Sequence, residues 1–200
     1  MPYIGNVHAK ILSDHFQTAR DIFRASLRHL EKIEGIGTIR AKNILAFRNF
    51  DKAEKELAFI RKYKISTAFI KSGNYPKRLL NCYDPPTLLF YKGAVNLNHP
   101  RIIAVVGTRC NSEYGKQVTE KIIRDLASVD VLIVSGLAHG IDAIAHKAAL
   151  KNNLKTVGVT AHGLDTIYPP ENSALAKNMV QSGAVLTEFR SKTAPDKYNF

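Results

Sequence analysis

Two rhythms divide the chain. From residue 101 onward, short runs that are apolar at nearly every position alternate with longer stretches of helical spacing. The runs are 101–107 (RIIAVVG), 130–136 (DVLIVSG), 155–163 (KTVGVTAHG) and 184–189 (AVLTEF). Between them lie 113–128, with Val118, Ile122, Ile123 and Leu126 in helical register, and 141–153, with Ile144, Ala145, Ala148 and Ala149 on one side. A third such stretch covers 171–183. Apolar strands alternating with amphipathic helices predict a parallel sheet of Rossmann-like, doubly wound type.

The N-terminal part is patterned differently. IGNVHAKIL (4–12) aligns with IGTIRAKNI (36–44), pairing Ile4, Gly5, Ala9 and Lys10 with Ile36, Gly37, Ala41 and Lys42. In the second copy Leu30 and Ile33 share a helix face, Gly35-Ile36-Gly37 breaks that helix, and Ile39, Ala41, Ile44 and Leu45 begin the next. The pair resembles a tandem helix-hairpin-helix domain. In such a hairpin the glycines let the turn approach a phosphodiester, and the following helix offers free N–H groups and a positive dipole end. Gly35, Gly37, Arg40 and Lys42 are therefore the candidate hairpin contacts to DNA, reading phosphate and not sequence. The alternative is a helical scaffold that only packs. In the first copy Tyr3 stands where Gly35 stands, which weakens its case.

Residues 51–64 read as a charged helix with Leu57, Phe59 and Ile60 facing inward. Residues 72–93 carry Tyr75-Pro76 and Asp84-Pro85-Pro86 and read as loop, short helix and a short strand at Leu88–Tyr91. The organisation expected is α/β: a small all-α tandem-hairpin domain (1–64), a connector (65–98) that packs its aromatics on the next domain, and a Rossmann-like parallel-sheet domain (99–200).

Charge sharpens the picture. Lys and Arg outnumber Asp and Glu by 29 to 17, with 17 against 8 in residues 1–100 and 12 against 9 in 101–200. A pI near 9.7 fits a nucleic-acid binder. Eighteen consecutive apolar residues occur nowhere, and the N-terminus lacks a signal-peptide pattern, so a cytoplasmic protein without membrane association is expected. Cys82 and Cys110 have no metal spacing.

Ligands of such sheets sit at the carboxyl ends of the strands. The candidate site is thus Gly107-Thr108-Arg109, Ser135-Gly136-Leu137-Ala138-His139-Gly140 and Ala161-His162-Gly163. The first strand ends GTRCNS and the second lacks a terminal acid, so the dinucleotide fingerprint is missing. Gly115-Lys116 is followed by Gln117, so there is no P-loop. What remains is a rim of backbone N–H groups, helix N-termini and Arg109, whose guanidinium suits a phosphate. His139, Asp142 and His146 share a helix face but lack a fourth metal partner. The histidines read as surface groups and Asp142 as a favourable charge at the helix N-terminus. VSGLA is not a nucleophile elbow around Ser135. Glu188 is the best acid candidate, more simply read as a loop-fixing group. No catalytic residue, metal or cofactor is assigned.

IIAVVGTRCNSEYG, VLIVSGLAHGIDAIAHKAAL, GLDTIYPPEN and GAVLTEF resemble the core of the DNA-processing DprA/Smf family, and YPKRLLNCYDPPTLLFYKG resembles its connector. The resemblance implies a non-enzymatic protein that binds and protects single-stranded DNA and loads the RecA recombinase during natural transformation. It implies that Gly107–Arg109 and Ser135–Gly140 line the DNA pocket, with Lys197 and Phe200 continuing it. The family more often carries serine at the position of Thr108, commonly a basic residue at that of His139, and a further Pro-x-Arg-Asn-Arg segment beyond Phe200. The chain therefore reads as C-terminally truncated, with the homodimer of intact members in doubt. The rival reading is a small-nucleotide sensor or phosphoribohydrolase-like enzyme on the same core, though no P-G-G-x-G-T stretch supports it.

Overall fold

The computed structural model describes Met1 and residues 3–199. Five helices come first: α1 Asn6–His15, α2 Ala19–Arg24, α3 Leu27–Glu31, α4 Gly37–Ala46 and α5 Asp51–Tyr63. The first four enclose Leu12, Leu30, Ile33, Ile36, Ala41 and Ile44, with Leu45 packed against them; of the apolar positions expected in the second repeat, Ile39 is instead exposed on α4. The helices start on side-chain caps where the sequence offers them. Ser26 accepts from the His29 N–H, and Thr18 and Asp21 cap each other reciprocally.

The repeat is visible in the backbone. Gly35 turns left-handed at φ 84°, and Tyr3, its counterpart, does so at φ 61°, a region in which a bulky residue is strained. Arg40 joins the two turns: its Nε donates to the Tyr3 carbonyl (3.2 Å) and its Nη1 to the Gly35 carbonyl (3.4 Å). The guanidinium expected to meet DNA is engaged inside the domain, while Lys42 is exposed.

Six strands form one sheet: β1 Ser66–Phe69, β2 Leu88–Gly93, β3 Ile102–Ala104, β4 Leu132–Ser135, β5 Thr156–Val159 and β6 Ala184–Thr187. Their order is β1-β2-β6-β5-β4-β3, with β3 to β6 parallel and β1 and β2 antiparallel at one side. The α/β architecture is as expected, but the sheet is not doubly wound. The parallel strands lie in sequence order, so each right-handed crossover steps the same way and leaves its helix on one face. That face carries α6 Glu113–Asp125, α7 Ile141–Lys151 and α8 Ser173–Ser182, packed on Ile133 and Val185.

The opposite face, with Leu132, Val157, Ala184 and Leu186, is covered by Tyr75 and Leu97 from the segment read as a connector. The Tyr75 hydroxyl donates to the Pro86 carbonyl at 2.7 Å. Of the segment's tyrosines, Tyr75 packs as expected and Tyr91 is partly buried against the same cluster, while Tyr83 is fully exposed. The segment, however, also contributes β1 and β2 to the sheet. Toward β3 this face stays open, with Val106 86% exposed. Leu57, expected to face inward, is exposed on α5. Helix α1 is fastened to the β1–β2 side: Lys71 bonds the Ser13 carbonyl and pairs with Asp14 (3.1 Å), Lys10 pairs with Asp84, and Thr87 donates to the Asn6 carbonyl (3.4 Å).

His146, read from sequence as a surface group, is fully buried between α7 and the sheet. The Thr156 hydroxyl donates to the Ile133 carbonyl (3.1 Å), so it accepts from His146 Nδ1 (2.6 Å). Nε2 has no hydrogen-bond partner among the described residues. Burial pushes the imidazole down to about 4 from 6.5, because a buried cation loses its hydration. The unfolded chain therefore takes up this proton first as pH falls. The stability contribution is complete above pH 6.5 and is lost progressively toward pH 4, up to about 3 kcal/mol. Urea unfolding at pH 7 and at pH 4.5 should show this loss, and a His146→Gln variant should lack that component of the pH dependence.

Candidate functional site

The carboxyl ends of β3, β4, β5 and β6 lie along one edge of the sheet, three inter-strand steps wide. Gly107-Thr108-Arg109 follow β3, Gly136–Gly140 follow β4, Ala161–Gly163 follow β5, and Glu188–Arg190 follow β6. The antiparallel pair places the end of β1 and the start of β2 on the same edge, where α1 docks.

The first two turns are locked together. Gly140 has φ 74° and ψ −129°, and a Cβ there would lie 2.2 Å from the Thr108 carbonyl oxygen and 2.6 Å from that of Arg109. This close approach lets the Ile141 N–H reach the Thr108 carbonyl at 3.1 Å. Thr108 organises its own turn, its hydroxyl accepting from the Cys110 N–H at 3.2 Å. Ser112 caps α6 by accepting from the Gly115 N–H at 3.1 Å. The N-termini of α6 and α7 thereby flank the exposed Gly107, Thr108 and Arg109.

The β4–α7 loop is clamped from within. Asn172 Nδ2 donates to the carbonyls of Leu137 (2.9 Å) and Ala138 (3.1 Å). Asp142, in the first turn of α7, accepts from the Ala138 N–H at 3.3 Å. Ser135 gives its hydroxyl proton to the Val105 carbonyl at 2.7 Å, and Leu137 is buried beneath α8.

Of the residues proposed from sequence, Gly136 and His139 are exposed and Ala138 and Gly140 half-buried. Ser135 and Leu137 belong to the interior and hold the loop's shape. Leu137 is the one large apolar side chain of this stretch, which fits its burial, whereas nothing in the sequence marks the hydroxyl of Ser135 as turned inward. Sequence reasoning also misses Asn172 as a functional position. Its only signal is a lone amide between Pro-Pro-Glu and a helix.

Neither alternative chemistry is assembled. His139 faces solvent with Nε2 3.8 Å from Glu171, Asp142 serves the loop, and His146 sits in the core. No metal-binding group of three occurs among the described residues. Glu188 is exposed at the β6 end. His162 is buried, with Nδ1 donating to the Gly163 carbonyl (2.9 Å) and Nε2 accepting from the Tyr168 N–H (3.3 Å). It shapes the β5 end.

Asn199 Nδ2 donates to the Ala161 and Ala194 carbonyls, both at 3.2 Å. This brings exposed Lys197 to the same edge, its Nζ 5.0 Å from the Tyr198 ring. Phe200 lies outside the described residues. Gly35 and Gly37 shape the hairpin turn of the helical domain, and Arg40 and Lys42 lie on α4, which follows it.

Known proteins divide in the same way. A family model described as DNA recombination-mediator protein A matches residues 66–200, and a helix-hairpin-helix motif matches residues 1–57. The DNA processing protein DprA of Bacillus subtilis is 41% identical over 152 residues, 76% of this chain and 51% of that protein. The chain spans about half the length of the curated relatives it matches. The X-ray structure of DprA from Streptococcus pneumoniae superposes with a TM-score of 0.65 at 32% identity, covering 98% of this chain and 71% of that one. A structure of DprA from Helicobacter pylori, described for its single-stranded DNA binding mode, gives a TM-score of 0.62 at 34% identity, covering 69% and 61%.

The Gly140 contact admits a direct test. Gly140→Ala should cost on the order of 1–3 kcal/mol, from the left-handed backbone and the collision with two carbonyls. Thermal melting should register a loss of several degrees, and protection of the Ile141 amide from hydrogen exchange should fall with it.

Proposed function

Because the chain belongs to the DNA recombination-mediator protein A family, we propose that it binds single-stranded DNA along this carboxyl edge and passes it to the RecA recombinase. It acts by binding and not by turnover. Among the described residues no helix is long and apolar enough to cross a membrane, and the cytoplasm is the compartment we propose.

One observation carries the reading. The loop that leads into α7 is already occupied by the carboxylate of Asp142, which holds the Ala138 N–H and lies beside Gly136, where a Cβ would come within 2.7 Å of Oδ2. A mononucleotide phosphate seated deep in this loop would face that carboxylate in a poorly solvated place, and like charges there repel strongly. Anion contacts are left to the outside of the edge, at Thr108, Arg109 and the first turn of α6. An open, one-sided arrangement of this kind suits a phosphodiester chain lying across it. The relative from H. pylori and the overall surplus of 12 positive charges support the same reading.

Fluorescence anisotropy with a labelled oligothymidine tests it. Binding should prefer single strands over duplex, fall steeply with salt and resist competition by ATP. Arg109→Ala should weaken it by about 1–3 kcal/mol, the range for a charged hydrogen bond. An unchanged Kd for this variant, or displacement of the DNA by ATP at low concentration, would falsify the assignment.

A further inference from the structure

Beyond β6 the chain enters a loop, 188–193, that is held from two directions. On the side of the edge just described, the Gly163 N–H donates to the Thr193 carbonyl (2.9 Å), and Asp165 accepts from the Lys192 N–H (2.7 Å). On the other side lies α5, whose Glu56 accepts from the Ser191 N–H with Oε1 (3.0 Å) and from the Ser191 hydroxyl with Oε2 (2.6 Å). Lys192 keeps a left-handed φ of 65° in this doubly fastened loop.

Between α5 and the loop is an open cleft of about 420 Å³. Lys52 and Lys55 of α5 face Arg190 and Lys192 of the loop across it, and Phe59 forms its apolar wall. Glu56 is its one lining carboxylate, and both its oxygens are taken by Ser191. None of the four cations is in an ion pair among the described residues. Four like charges around one concavity repel one another and raise the local concentration of anions. Arg190 can take a phosphate bidentately, and the aromatic wall offers a flat face for an unpaired base.

We infer that this cleft is a second phosphodiester-binding station, which receives the same DNA strand after it has crossed the sheet edge. The inference rests on the single-strand reading of that edge. Neighbouring strands lie about 4.8 Å apart, so the ends of β3 and β6 are separated by about 14 Å. A strand lying over Arg109 therefore reaches the cleft only when it extends several nucleotides further. The loop that walls the cleft is bonded to Gly163 and Asp165 of the β5 turn, so the two stations share one rigid edge.

The test is a Lys52→Gln/Lys55→Gln double variant of the full chain. Both lysines are exposed on the helix surface, and glutamine keeps the helix propensity. Affinity is measured over a range of salt for oligothymidines of about 5 and about 16 nucleotides. The double variant should bind the long oligonucleotide several-fold more weakly. The slope of log K against log salt should fall in magnitude by about 1.4, two lost contacts at about 0.7 each. Its affinity for the short oligonucleotide should not change. Arg109→Ala should weaken both lengths. An unaltered salt slope on the long oligonucleotide, or an equal loss on both lengths, overturns the cleft as a second station. If Arg109→Ala is silent while the double variant loses affinity for the long strand, the edge reading fails and the cleft remains a DNA site. If the unaltered chain binds neither length, both readings fall.

Discussion

The close passage of Gly140 over the Thr108 and Arg109 carbonyls is the contact on which the arrangement of the edge depends. At 2.2 Å from a hypothetical Cβ, it leaves no room for any side chain, and its backbone angles are nearly exclusive to glycine. Because of it the β3–α6 and β4–α7 turns behave as one body. The Ile141 N–H closes on Thr108, the two helix N-termini come side by side, and Arg109 stands on the outside of the turn. Asn172 and Asp142 then fix the remaining free length of the loop. A surface held in this way loses little conformational entropy when it binds an extended ligand.

The helical region is joined to the same edge, and this changes how its charge should be weighed. Residues 1–100 hold nine of the chain's twelve surplus positive charges. Several of these cations have structural tasks. Lys10 and Lys71 tie α1 to the β1–β2 side, and Arg40 links the two hairpin turns. A hairpin whose guanidinium is bonded to its own backbone is a poorer phosphate clamp than its sequence suggests. Lys52 and Lys55 of α5 are different. They project into a cleft whose only acid is already hydrogen-bonded, so their field is directed at solvent and at whatever anion enters.

Some of this is legible in the sequence, and the rest is hidden for identifiable reasons. The four parallel strands are readable because their residues are apolar at successive positions, as suits β4, β5 and β6, which are covered on both faces; β3 keeps the same pattern although one of its faces is open. The edge is readable because ligand positions follow from strand polarity alone. The one-sided placement of α6, α7 and α8 is not, since strand order is set by long-range pairing that leaves no mark on periodicity. β1 escapes because Ser66–Phe69 is a four-residue edge strand whose alternation disappears among its neighbours. His146 resembles a surface group because Thr156, which accepts its hydrogen bond, lies ten residues away on another element. Within the edge, the hydroxyl of Ser135 gives no sign that it turns inward, and a left-handed backbone at Leu137, φ 59°, goes with the burial of that side chain.

An edge built of exposed, individually weak contacts has consequences for what can be done with a bound strand. Each phosphate contact made in solvent supplies only a part of the total affinity and is screened by salt. Affinity then grows with the number of contacts engaged, and a strand can be released one contact at a time without crossing a single high barrier. A deep phosphate pocket at the α7 N-terminus would hold the ligand more tightly and yield it more slowly, because tight binding is expressed mainly in the dissociation rate. By placing the carboxylate of Asp142 in the loop before that helix, the chain gives up the stronger anchor. For a protein whose proposed task is to hold a single strand and then surrender it to a recombinase, the distributed arrangement is the physically appropriate one.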